Sequence, residues 1–215
     1  MSIEKKNIAV LISGSGSNLQ AIIDACESGQ INGRISVVIS NRPNVLGLER
    51  AANSGIATQV IDHKQFASRE AFDAELIKRI DAEHTDLVVL AGFMRILSDD
   101  FTHHYQGKLL NIHPSLLPDY KGTQTHQRAL DDGVTEHGVS VHFVSPELDG
   151  GPVIMQAKIP VLKDDTADEL AKRVLIKEHI IYPTVIEWFC ADRLSLDNNT
   201  IQLDQQALSE PVILE

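Results

Sequence analysis

Residues 8–19 read Ile8-Ala9-Val10-Leu11-Ile12-Ser13-Gly14-Ser15-Gly16-Ser17-Asn18-Leu19, and this stretch decides the fold. Its first five residues are uniformly apolar, the pattern of a strand buried on both faces. A turn of small polar residues follows, and Leu19 to Ala25 then reads as a helix. A buried strand that passes through a glycine turn into a helix is the opening of a βαβ unit. Glycines allow close approach of a ligand to the backbone, and the free N–H groups of a helix start favour an anion. The spacing is Gly14-x-Gly16-x-x-Leu19, with leucine where a dinucleotide fingerprint carries a third glycine. The second strand ends at Ser40-Asn41-Arg42, without an acid to hold a ribose hydroxyl. The turn therefore suits a single phosphate better than NAD; a plain tight turn with a helix cap is the competing explanation.

The same alternation continues outward. Ile35 to Ile39 is a second strand, Val45 to Ser54 a short helix ended by Gly55, and Ala57 to Ile61 a third strand. In the next helix Phe72, Leu76 and Ile80 form one stripe, with Asp73, Glu75, Lys78 and Arg79 mostly off it. Leu87 to Leu90 is a fourth strand. Strands separated by helices imply right-handed crossovers and a parallel sheet. The second half differs. Lys108 to Ile112 is a strand that leads into a proline-bounded loop, residues 113–118. Thr125 to Asp132 is a helix ended by Gly133. Gly138 to Val144 alternates, with Val139, Val141 and Phe143 on one face and Ser140 and His142 on the other. Val153 to Val161 pairs with it antiparallel through a turn at Asp149-Gly150-Gly151. Thr166 and Glu169 form a capping box, opening a helix whose Leu170, Val174 and Ile181 share a stripe. The tail from Ser195 is weakly patterned. The fold expected is one α/β domain with a Rossmann-like parallel first half and a mixed sheet, antiparallel in part, in the second.

Three places could carry chemistry. Asn111 and His113 alternate on the fifth strand and so share a face at its carboxyl end, where sites gather in open α/β sheets. An amide donor beside an imidazole can stabilise an oxyanion and move a proton. Asp149 sits in a glycine-rich turn, where an Asp is also simply a turn former. Met94, Ile96 and Leu97 follow the fourth strand and suit a flat apolar pocket for a ring. His142 is a neighbour of such a site; His63, His84, His126 and His137 read as solvated. No HExxH or paired cysteines occur, so no metal is expected; Cys26 and Cys190 read as small buried residues.

Composition narrows the partners. The chain has 215 residues, 19 basic and 30 acidic side chains, and a net charge of −11. That balance disfavours nucleic acid. Apolar runs are too short to span a membrane, and the polar Met1 to Asn7 is no leader peptide. Small-molecule partners and a cytoplasmic location are expected.

The segments 12–20, 91–97, 111–118 (Asn-Ile-His-Pro-Ser-Leu-Leu-Pro), 138–142 and 148–152 occur in one order. With them, from Asn7 to Leu194, the chain resembles the phosphoribosylglycinamide formyltransferases, a folate-dependent family. The resemblance implies transfer of a formyl group from 10-formyltetrahydrofolate, the cosubstrate, to the amine of glycinamide ribonucleotide, without a metal. It implies Asn111, His113 and Asp149 as the catalytic group. Gly16, Ser17, Asn18 and Glu178 would hold the amine substrate. Arg69, Met94, Arg95, Ile96, Leu97 and Asn111 would hold the folate, with His142 in support. Residues 1–105 would then be a phosphate-binding half, 106–195 a catalytic and folate-binding half, and 196–215 a tail, in a monomer or homodimer. Tyr120 to Thr123 departs from the family pattern, and the change is expected to stay clear of the catalytic group. The rivals are a formyltetrahydrofolate hydrolase, a methionyl-tRNA formyltransferase (disfavoured by charge and length) and a non-catalytic binding module.

Overall fold

The computed structural model describes residues 5–214. Met1 to Glu4, part of the segment read as lacking a leader, lie outside these, as does Glu215. The first half is built of β1 (Lys6–Ile12), α1 (Ser17–Glu27), β2 (Gly33–Ser40), α2 (Leu46–Asn53), β3 (Thr58–Val60), α3 (Arg69–Asp81) and β4 (Leu87–Leu90). The second half has α4 (Asp99–His104), β5 (Leu109–His113), α5 (Thr125–Asp131), β6 (Glu136–Phe143), β7 (Val153–Pro160) and α6 (Ala167–Cys190). The tail adds β8 (Leu194–Asp197), β9 (Thr200–Leu203), β10 (Gln206–Ala207) and β11 (Val212–Leu214).

One eight-stranded sheet orders β11-β7-β6-β5-β4-β1-β2-β3. β3, β2, β1, β4 and β5 are parallel, while β6 runs antiparallel to both β5 and β7. The mixed α/β reading therefore holds. β1 shows why its apolar run is continuous. Ile8, Val10 and Ile12 enter the core under α1 and α6, and Ala9 and Leu11 enter the core under α3 and α4. A strand with helices on both faces needs apolar side chains at every position.

Most predicted boundaries move by one or two residues. Three findings go further. The tail is not patternless: β8, β9 and β10 form a small antiparallel sheet, and β11 joins the main sheet beside β7. Helix α4, six residues long, is too short to show a stripe. The β6–β7 link is a loop over residues 144–152, with its turn at Gly150 N–H to Glu147 O, 3.1 Å.

Helix α6 fixes the centre. Its capping box is present as expected, Thr166 N–H donating to Glu169 Oε2 at 2.9 Å and Glu169 N–H to Thr166 Oγ1 at 3.3 Å. Buried Tyr182 shares its hydroxyl hydrogen between Leu90 O at 2.9 Å and Leu110 O at 3.1 Å. One side chain thus ties the end of β4 to the first half of β5, the two strands that lead into the candidate site. Cys26 is partly buried and Cys190 buried, and burial pushes the Cys26 thiol up to about 11.

Candidate active site

The parallel strands direct their carboxyl ends to one edge, where β1 feeds β2 on one side and pairs with β4 on the other. Crevices form at such reversals of strand order. Here the crevice is continuous. A cavity of about 500 Å³ is lined by Asn111, His113 and Asp149 together with Met94, Arg95 and Ile96. A second, of about 450 Å³, shares Gly92, Met94, Ile112, Pro114 and His126 with it and adds Ser17, Asn18 and Glu178. A smaller recess on the other side holds Phe93, Leu97 and His142.

Asn111 and His113 lie on one face of β5, as alternation requires, opposite His142 and Ser140 of β6. His142 Nδ1 is 2.8 Å from Phe143 O, so this nitrogen must carry the hydrogen and donate. Nε2 is then a bare lone pair, and Asn111 Nδ2–H donates to it at 3.1 Å. Burial pushes His142 down to about 4, which keeps the ring neutral and this arrangement fixed. The second Nδ2 hydrogen of Asn111 is left for the cavity.

His113 is held the same way from the other side. Its Nε2–H donates to the backbone oxygen of Tyr120 at 2.9 Å. Nδ1 is therefore the atom free to gain or lose a proton, and it faces Asp149 Oδ2 at 3.5 Å. The same carboxylate oxygen accepts the backbone N–H of Gly122 at 2.9 Å. Asp149 has a φ of +47°, so its backbone is turned sharply to bring the carboxylate inward. The stretch expected to stay clear of the catalytic group thus supplies two of its hydrogen bonds. It does so through backbone atoms, which every residue carries.

Asn18, at the start of α1, donates through Nδ2 to Glu178 Oε2 at 2.6 Å, across the second cavity. Burial pushes the Glu178 carboxyl up, and the Asn18 bond opposes it. Gly16 caps α1 with a φ of +70°, and a Cβ there would meet Gly47 Cα at 2.6 Å. Glycine is required on both counts. Met94 is 65% exposed and Ile96 58%, whereas Leu97 is 7% exposed, so the loop offers two free apolar side chains over one anchored in the core. Arg69 is not brought to these walls; it opens α3 and pairs with Glu70 at 3.3 Å. Arg95 lies over the Phe72 ring at 5.8 Å instead.

Two sequence expectations are corrected. Asp73 is buried, not off the α3 face, and accepts the Ser98 N–H at 2.6 Å. Its need is to hold the loop that leads into α4. His137 is buried as well, 3.1 Å from His126. β6 is covered on both faces, so its polar residues are internal too. Burial pushes His137 down to about 4. An unfolded imidazole titrates near ~6.5, so between about 6.5 and about 4 the unfolded chain binds more protons at His137 and His142. Stability contributed by each neutral ring is therefore lost as pH falls through that window, on the order of 3 kcal/mol per ring. NMR titration of the folded protein is expected to give midpoints near 4 for both. A midpoint near ~6.5 would contradict the assigned burial.

A formyl transferase family model matches residues 6–186. The chain belongs to the formyl transferase family. Phosphoribosylglycinamide formyltransferase of Escherichia coli (strain K12) is 58% identical to this family member over 202 residues, covering 94% of the chain and 95% of that protein. The enzyme of the same name from Haemophilus influenzae is 48% identical, covering 94% and 96%. The solved phosphoribosylglycinamide formyltransferase of Coxiella burnetii superposes with a TM-score of 0.94 at 49% identity, covering 99% of this formyl transferase and 100% of that chain. Among the described residues no cluster of three or more His, Cys, Asp or Glu side chains could hold a metal ion. No helix among them is long and apolar enough to cross a membrane.

Proposed function

We propose that the protein transfers the formyl group of 10-formyltetrahydrofolate to the amine of glycinamide ribonucleotide, giving formylglycinamide ribonucleotide and tetrahydrofolate in purine synthesis. The observation that carries this is the meeting of Asn111, His113 and Asp149 in one cavity that shares part of its wall with a second. Ser17, Asn18 and Glu178 line the amine side, with Gly16 shaping the turn for the phosphate and Glu178 at the glycinamide end. Met94, Arg95, Ile96 and Leu97 line the folate side; Arg69, at the start of α3 and outside these walls, would reach only the acidic tail of the folate.

The amine nitrogen attacks the formyl carbon, and the carbonyl oxygen becomes an oxyanion. The Asn111 Nδ2–H and a protonated His113 Nδ1 donate to it. The Asp149 carboxylate faces that nitrogen at 3.5 Å. Collapse re-forms the carbonyl and breaks the bond to folate N10, which takes up a proton, while the attacking nitrogen loses one. His142 positions Asn111. No residue of this scheme needs a metal. The partners are small molecules, and the chain works as a monomer or homodimer in the cytoplasm.

Purified protein given 10-formyltetrahydrofolate is expected to release tetrahydrofolate only when glycinamide ribonucleotide is present. Release without the amine would make it a hydrolase. A folded protein that binds folate and turns over under neither condition would make it a binding module.

A further inference from the structure

Ser13 belongs to the turn that the sequence offers to a phosphate, yet it lines neither large cavity. It is 3% exposed. Its Oγ accepts the backbone N–H of Met94 at 2.8 Å and stands 2.6 Å from Asn41 Oδ1. The direction of both bonds is forced. A backbone N–H can only donate, so the hydroxyl hydrogen must go to Asn41. Asn41 is itself 1% exposed, and its Nδ2 is 3.3 Å from His63 Nδ1.

The sheet explains why these residues meet. Ile12 of β1 pairs with Ser40 of β2, so Ser13 and Asn41 leave the sheet side by side. Leu11 of β1 pairs with Leu90 of β4, so the loop that follows β4 rises next to Ser13 on the other side. One hydroxyl therefore joins the ends of three strands. The bond to Met94 is also the one hydrogen bond that a backbone group of residues 92–97 makes among the described residues. With the Met94 side chain 65% exposed, packing does little to hold that point of the loop.

The geometry points to Ser13 as a positioning residue for the loop that faces the folate, with Asn41 orienting its hydroxyl, and not as a phosphate ligand. This rests on the formyl-transfer function proposed above. Loss of the hydroxyl leaves the Met94 N–H without its partner and lets the loop sample other orientations. The phosphate turn keeps its own glycine and helix start.

Two measurements on Ser13→Ala test this. In the free protein, amide exchange at Met94 is expected to quicken about tenfold, with residues 16–20 unchanged. In steady state, KM for 10-formyltetrahydrofolate is expected to rise about tenfold, with kcat and KM for glycinamide ribonucleotide within about twofold. Ser13→Thr keeps the hydroxyl and is expected to restore the folate KM. A rise confined to the KM of the ribonucleotide would make Ser13 a phosphate ligand and overturn the assignment. A parallel loss of kcat, both KM values and unfolding midpoint would reduce Ser13 to scaffold. Unchanged exchange at Met94 would remove the hook altogether. If the unmodified protein shows no turnover, the transferase function fails, and the exchange experiment still decides the hook.

Discussion

Replacing His113 with alanine is expected to lower kcat by about 10²–10⁴, the range of a lost general acid–base group. Both KM values are expected to change by less than about threefold, because the interaction removed belongs to the transition state. The size of the effect follows from how His113 is held. Its Nε2–H is committed to Tyr120 O, so only Nδ1 can exchange a proton, and Nδ1 already faces Asp149 at 3.5 Å. His142 cannot take over. It spends both nitrogens on Phe143 O and Asn111, and burial keeps it neutral down to about 4. Asp149→Asn separates charge from shape. It preserves an acceptor for the Gly122 N–H but removes the negative charge beside His113, and kcat is expected to fall by about 10² or more. A His113→Ala variant that keeps more than about a tenth of the turnover would sink the assigned role.

Gly151→Ala is expected to cost about 3 kcal/mol or more of stability, read as a drop in the urea midpoint. An added Cβ would fall 1.9 Å from Phe143 O and 3.2 Å from Ser145 N. Both are backbone atoms, so no side-chain rotation relieves the clash. The ladder at this point, Phe143 N–H to Pro152 O at 3.0 Å, has to open. Asp149 lies two residues away, so the folded fraction is expected to lose activity as well. Gly14→Ala is the control: no atom lies within 4 Å of its Cβ, and its φ is not positive. A near-normal midpoint for Gly151→Ala would show that the link can move aside.

The parallel half was legible because a strand covered by helices on both faces must be apolar throughout, and residues 8–12 and 87–90 are. The facing of Asn111 and His113 followed from alternation alone. Other parts left no trace. β8, β9 and β10 are two to four residues long, below the length at which periodicity emerges. His137 and Asp73 look like surface residues because polarity in sequence cannot report that both faces of β6, or the start of α4, are covered. The approach of Asp149 to His113 spans 36 positions of chain and depends on the fold of the 144–152 loop. Tyr120 O and Gly122 N–H are backbone atoms and have no signature at all. The grouping of these residues into one site came from the family resemblance, and the structure adds the hydrogen bonds that hold them.

The last strand also covers part of a sheet edge. β11 covers β7 along Met155, Gln156 and Ala157, and only three residues do so. If proteolysis removed 212–214, the N–H and C=O row of β7 would become the open margin of the sheet. Open margins recruit strands from neighbouring chains. The three residues of β11 thereby shorten the stretch of β7 that a foreign strand could use.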